Sequence, residues 1–489
     1  MVDYGPDRMG RFAGGCLALS IALITIVGLL GPSAAQPPLP QRRWQPPYWF
    51  TVNPSPWLVT TLLLVAVLAG AAGLWLGLRA LKRGWAPAPR RLIVASLLGV
   101  IAMVVVPPMG SADHLVYAAY GRIAATGGDP YTETPQQLAE RGDPIGQAVE
   151  APWQDTPSIY GPLGTAEQWL AARLGGMSTH TTVFILSLLG AVAFLVTGLL
   201  LQRLAGSDPA ARGRVALLWS VNPLLLYEVV NGSHIDAIAV VWVVAALVVL
   251  RRSATAAGTL VGLACAVKLS FGLYGLALAW AVRRQPRRLV TLLISWAIIG
   301  GGSYLLVGPH VVDQVRTASR FVSQASIWRL PAAPLEALLG FGFARDLIRL
   351  LAWPALAAVA VLLARGLSRK PVPVGDRVTG EAIRAAAILT FAWLLTAPYS
   401  LPWYDVAAWA PCALLAASRF DELLIARTTA MTCAYIPGRA MELPHGLELI
   451  TRNLRGVVTP VLAAVLLGVV LYQCGLPRRW RPRSADLPG

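Results

Sequence analysis

The sequence predicts an all-α, polytopic membrane protein: about 12 transmembrane helices plus a broken-helix hairpin, with a structured extracytoplasmic loop. Three observations carry that expectation. Of 489 residues, 56% are hydrophobic and only 13% are charged, whereas soluble domains carry about 25% charged residues. The apolar stretches recur at the length, about 20 residues, that crosses a bilayer. The basic residues sit at the ends of those stretches, as Lys82-Arg83, Arg90-Arg91, Arg251-Arg252, Arg283-Arg284, Arg287-Arg288 and Arg478-Arg479, which is the pattern that holds loops in the cytoplasm. The net charge of +17 is thereby spent on membrane orientation, and no nucleic-acid partner is expected.

In chain order, spans are expected near 14–33, 57–81, 92–108, 181–204, 214–230 and 236–252. Later ones fall near 289–307, 346–365, 381–398, 404–418, 422–437 and 456–474. The first resembles a secretion signal, with Arg11, an apolar core and Ser33-Ala34-Ala35, but further spans follow and a retained helix is expected. The apolar run 257–282 has arginine pairs at both ends, so a single crossing would put one pair outside. Two short helices meeting near Lys268-Leu269-Ser270 keep both inside, an arrangement tolerated where broken helices line a cavity.

The same rule sorts the loops. Segments 82–91, 205–213, 366–380 and the basic tail Arg478–Arg483 are placed in the cytoplasm. Segments 34–56, 109–180, 231–235, 308–345, 399–403 and 438–455 are placed outside, with Arg42 and Arg43 running against the bias. Loop 109–180 is rich in Gly, Pro, Asp and aromatic residues, including Tyr117, Tyr120, Trp153 and Trp169, and reads as an ordered cap. The five cysteines lie in apolar segments or at their ends without ligand spacing, as small buried hydrophobes do.

Asp113 is the most informative position. It follows the Pro107-Pro108 end of the third span, in Ser111-Ala112-Asp113-His114-Leu115-Val116-Tyr117. A carboxylate there could act as general base, or cap the helix that follows. His234 and Asp236 lie at the outer mouth of two spans, where Asp236 could also cap a helix. Lys268 stands in the middle of an apolar run, and an ionisable residue at that depth marks function unless it reaches the interface; Glu228 is a similar case. Trp403 and Tyr404 suit either an interfacial belt or the stacking of sugar faces. Arg316 and Arg320 stand in an outer loop that should be poor in arginine, and could clamp a lipid phosphate. No H-x-x-x-H or D-x-D occurs, so no metal is expected.

Several motifs stand together: Ala119-Tyr120-Gly121-Arg122, Gly127-Gly128-Asp129-Pro130-Tyr131 and Tyr160-Gly161-Pro162-Leu163. Further along come Asn222-Pro223-Leu224 with Gly232-Ser233-His234-Ile235-Asp236, Ala266-Val267-Lys268-Leu269-Ser270 and Leu401-Pro402-Trp403-Tyr404. Over roughly 100–410 the chain resembles the bacterial GT-C superfamily of polyprenyl-phosphate-sugar-dependent glycosyltransferases, and within it the actinobacterial α-mannosyltransferases of lipoglycan assembly. Ile235 and Ser270 depart from the residues common there, asparagine and proline.

The resemblance implies one membrane glycosyltransferase domain over 1–489, with the catalytic site carried by loop 109–180 on the extracytoplasmic side. It implies a hexose, mannose in the α-mannosyltransferases, moved with inversion from a polyprenyl-phosphate donor to a glycan or glycolipid acceptor, in contact with membrane lipids and with no cofactor. It makes Asp113 the base, and Tyr120, Arg122, Asp129, Tyr131, Tyr160, His234, Asp236, Lys268, Arg316, Arg320, Trp403 and Tyr404 the candidate binding residues. A secondary transporter or lipid-linked sugar flippase would share the spans. A transporter would carry repeats and midplane polar residues, whereas here the polar residues gather at one face.

Overall fold

The structure, a computed structural model, describes residues 5–42, 44–367, 372 and 376–475; Arg43, most of 368–375 and the basic tail lie outside the described residues. Every described element is a helix or helical turn. Among the described residues, seven helices are long and apolar enough to cross a membrane: Pro6–Leu30, Pro56–Lys82, Thr179–Leu204, Pro286–Val307, Phe341–Gly366, Arg377–Thr396 and His445–Cys474. Three shorter apolar helices accompany them, Asp236–Val249, Ala254–Val267 and Leu269–Val282.

The helix starts follow local chemistry. Pro6, Pro56, Pro89 and Pro286 each stand at the beginning of a helix, where the missing N–H costs nothing. Ser55, Ser178 and Ser253 accept bonds from free first-turn N–H groups. The first two long helices close on one another through Gly73, where an added Cβ would lie 2.8 Å from Leu17. Small residues permit such approach when no hydrophobic force draws helices together in lipid.

Several expectations shift. The span expected at 214–230 is interrupted: Asn222 caps Leu224 and Leu225, and Pro223 restarts the helix. The span expected at 404–418 is a tight turn, Pro402–Asp405, followed by the nine-residue helix Val406–Leu414. Buried polar groups at 400–405 take the place of apolar helix there. Segment 308–345 holds two helices, His310–Ala318 and Arg329–Leu339.

The run 257–282 breaks at Lys268, whose backbone is extended (φ −153°, ψ 118°). Gly258 and Gly262 of the first arm press on Leu292 and Ile299 of the Pro286–Val307 helix, and Gly275 of the second arm returns to Trp296. Arg288 donates to the Leu250 carbonyl, while Arg283 binds Glu381 at 2.6 Å. Both ends of the run therefore lie on one face. Arg214 joins that face, with Asp421 at 2.9 and 2.5 Å.

The opposite face carries segment 109–178, which is ordered into helices Asp113–Ala125, Pro135–Glu140, Pro144–Gln147 and Pro162–Gly175. Arg439 fastens it by binding the Glu150 carboxylate at 2.5 and 2.9 Å and the Ser33 carbonyl at 2.6 Å.

Candidate active site

The motifs of the cap turn out to be its joints. Gly121 lets the Asp113–Ala125 helix touch the Pro162–Gly175 helix, since a Cβ there would lie 2.1 Å from the Gln168 carbonyl. Gly161 does the same against Ala266, at 2.2 Å, and its N–H donates to the Val267 carbonyl at 3.0 Å. The Tyr160-Gly161-Pro162 turn is thus welded to the break that exposes Lys268. Gly127 has a positive φ of 88°, and the Asp129 carboxylate accepts from the Tyr131 N–H at 2.9 Å, closing the next turn.

These joints bring five separated segments to one corner. The Asp113 carboxylate lies 3.7 Å from His234 Nδ1, with its side chain 15% exposed. The His234 ring is within hydrogen-bond distance of Ser111 Oγ (3.4 Å) and the Tyr117 hydroxyl (3.3 Å), and it stacks on Trp403 at 3.6 Å. Tyr160 donates to the Tyr117 hydroxyl at 3.3 Å, their rings meeting edge to face. Ser233, ahead of His234, has a positive φ of 54°, backbone strain of the sort that gathers at working sites.

The second carboxylate is engaged differently. Lys268 Nζ donates to both oxygens of Asp236, at 2.8 and 2.9 Å, and sits 3.6 Å above the Tyr404 ring. Tyr404 in turn stacks on Trp393.

Neither acid is a helix cap: the helices beginning at Asp113 and Asp236 have no side-chain cap bond. The Asp113 N–H itself donates to Ser111 Oγ at 3.3 Å. Burial pushes the Asp113 carboxyl up to about 7. The Lys268 charge and the Tyr117 hydroxyl pull it back, and Asp236 adds to the upward push. Asp113 is an acid poised to exchange a proton near neutrality, next to groups that could position a substrate. Among the described residues no three His, Cys, Asp or Glu side chains are placed to hold a metal ion.

Asp113, Tyr160, His234, Asp236, Lys268, Trp403 and Tyr404 meet in this corner; the remaining candidates are used elsewhere. The Tyr120 hydroxyl donates to the Thr156 carbonyl at 2.7 Å, and Arg122 binds Asp143 at 2.7 Å. Tyr131 reaches Thr165 at 2.8 Å, holding cap helix to cap turn. Arg320 forms a two-pronged pair with Asp346, at 2.9 and 3.1 Å, and Arg316 is exposed on the His310–Ala318 helix. Glu228 is buried in the turn before His234. Ser111 and Tyr399 were not singled out by the sequence. Ser111 had a signal in its place two residues before Asp113; Tyr399, whose ring stands 6.3 Å from Tyr404, had none.

With that geometry in view, comparison with known proteins is informative. The family model described as "Alpha-(1->6)-mannopyranosyltransferase, N-terminal domain" matches residues 15–284. The chain is similar to alpha-(1->6)-mannopyranosyltransferase B of Corynebacterium glutamicum, 23% identical over 389 residues, which is 69% of this chain and 61% of that protein. It is 28% identical over 174 residues to alpha-(1->6)-mannopyranosyltransferase A of the same organism, covering 35% of this chain and 34% of the relative. An alpha-(1->6)-mannopyranosyltransferase of Mycobacterium tuberculosis is 28% identical over 144 residues, 29% of this chain and 24% of its own length. The matches thus span less than two thirds of each relative. No solved structure matches.

Proposed function

The chain belongs to the alpha-(1->6)-mannopyranosyltransferase family, and we propose that it moves mannose from a polyprenyl-phosphate donor to a hydroxyl of a cell-envelope glycan or glycolipid. The observation that carries this reading is the Asp113 carboxyl, partly buried, raised to about 7 and 3.7 Å from His234, while Lys268 is held by Asp236. It lies within the matched region, as do His234, Asp236 and Lys268.

The acceptor hydroxyl gives its proton to the Asp113 carboxylate as its oxygen attacks the anomeric carbon. The bond from that carbon to the phosphate oxygen breaks on the opposite side, and the electron pair leaves with the polyprenyl phosphate. Configuration inverts, so a β-linked donor yields an α-linked product. A phosphate leaves without a proton, so the second carboxylic acid of a glycosidase is not required. Asp236 is accordingly free to hold Lys268 beside the site, where the ammonium can face the donor phosphate.

A lipid-linked donor suits the surroundings of Lys268. A largely apolar cleft of about 750 Å³, lined by Leu269, Leu273, Leu293, Trp296 and Trp353, adjoins the hairpin break. The hairpin arms, 14 residues each, are about 21 Å long at the helical rise. That is shorter than the bilayer's hydrocarbon core of about 30 Å, so a polyprenyl chain can enter from the side with its phosphate at the break. In this reading the three shorter apolar helices complete the membrane domain formed by the seven long ones, with the cap on the extracytoplasmic side.

Asp113→Asn tests the reading in the purified full chain. Turnover from synthetic polyprenyl-phosphate mannose should fall by about 10²–10⁴-fold, with folding retained. Transfer near the parent rate would place the base elsewhere.

A further inference from the structure

Tyr404 stands between two aromatic branches. On one side it stacks on Trp393, which lines the apolar cleft. On the other, Tyr399 lies 6.3 Å from Tyr404, Phe321 lies 5.8 Å from Tyr399, and Trp153 lies 6.3 Å from Phe321. The three rings beyond Tyr404 are only partly buried. They come from three distant segments: the cap, the outer stretch between the His310–Ala318 and Arg329–Leu339 helices, and the turn before Trp403. Each ring is tilted against the next, by 38°, 60° and 62° in the order Trp153 to Tyr404, so the faces are not spent on one another.

The setting of this strip is polar. Trp153 is followed by Gln154, Asp155 and Thr156, with Asp155 exposed. Phe321 is followed at two residues by Ser323, which donates to the Ser400 carbonyl at 3.0 Å. The strip is also held to the helix that begins at Asp113, because Tyr120 of that helix binds the Thr156 carbonyl at 2.7 Å. A hydrocarbon chain would gain little along this branch that the apolar cleft does not already offer. A carbohydrate fits both features, laying its C–H faces on the rings and its hydroxyls toward the polar loop.

We propose that Trp153, Phe321 and Tyr399 form an extended subsite for the acceptor, which is therefore an oligosaccharide bound over several units with its terminal hydroxyl at Asp113. The proposal rests on the mannosyl-transfer reading for the identity of the sugar, but the strip itself can be tested by binding alone.

The full chain in lipid nanodiscs is titrated calorimetrically with α-1,6-linked mannotetraose and with methyl mannoside, without donor. The tetrasaccharide should bind about tenfold more tightly than the monosaccharide, equivalent to about 1.4 kcal/mol. Trp153→Ala and Phe321→Leu should each remove about that advantage and leave monosaccharide binding unchanged, while Trp153→Phe should keep it. Phe321→Leu retains apolar bulk, so it remains informative if Trp153→Ala fails to fold. Equal affinity for the two sugars, or a tetrasaccharide affinity that neither variant moves, would overturn the subsite. Normal turnover in Asp113→Asn would overturn the chemistry while leaving the calorimetry to decide the subsite separately.

Discussion

Asp113, partly buried, and Asp405, fully buried, are both carboxylates at the head of a helix, and their neighbourhoods differ. Asp405 contacts Arg427 and accepts from Thr428 Oγ1 at 2.6 Å. Arg427 also donates to the Leu394 carbonyl at 3.0 Å and to Ser400 Oγ at 2.7 Å, and Trp409 Nε1 donates to Thr428 Oγ1 at 3.0 Å. The charges in that network satisfy one another inside the protein. Around Asp113 the nearest polar groups are otherwise occupied: Lys268 is bound to Asp236, and His234 lies between Ser111, Tyr117 and Trp403. A buried charge that is fully paired locks structure. One left incompletely paired keeps its interaction energy for a proton or a substrate.

The sharpest way to break the contrast is to unpair Asp405. Arg427→Met leaves a buried carboxylate without its cation, which should cost about 3–5 kcal/mol of stability. Thermal denaturation in detergent and the yield of folded protein measure this. Asp113→Asn should melt at or above the parent temperature near pH 8. The sign follows from the raised pKa: the folded state favours the protonated acid, so stability contributed at this position falls as pH rises from about 4 toward 7, and asparagine mimics the protonated form.

The same titration governs rate. Turnover should climb with pH through a midpoint of about 7 as Asp113 ionises, facing Lys268, Asp236, His234, Tyr117 and Tyr160. A flat profile from pH 5.5 to 8.5 would remove the poised acid from the mechanism.

Lys268 sharpens the comparison further. If its ammonium meets the donor phosphate, Lys268→Met should weaken donor use by about 1.5–3 kcal/mol. The Lys268→Met, Asp236→Asn double variant should not recover it. Recovery in the double variant would mean that the lysine serves only its carboxylate partner, as Arg427 does.

Tyr120→Phe should show the smallest effect. It removes the bond to the Thr156 carbonyl, worth about 1 kcal/mol, and loosens the cap with little direct change at Asp113. A turnover loss as large as that of Asp113→Asn would place Tyr120 among the reacting groups.

The helices were legible because each reports itself locally. Apolar runs of crossing length, prolines at their starts and arginines at one set of ends are properties of short stretches. The break at Lys268 was legible for the same reason, since arginine pairs at both ends of 257–282 exclude a single crossing. Asp113 stood out by its place after the third span. The binding roles expected of Arg122 and Arg320 were harder to judge, because their partners, Asp143 and Asp346, lie 21 and 26 residues away and only packing shows that they meet. Tyr399, some 290 residues after Asp113, carried no local mark at all.

By itself the sequence determined the helical class, the seven long apolar helices, the hairpin and the acid worth testing, because hydropathy and charge act over a single helix length. Tertiary structure decided which polar residues meet. It joined His234 to Trp403, Asp236 to Lys268, and the Gly161 turn to Val267, contacts made across the bundle by close backbone approach. It also separated the two kinds of buried carboxylate, because whether a charge is satisfied depends on donors that the rest of the chain brings to it.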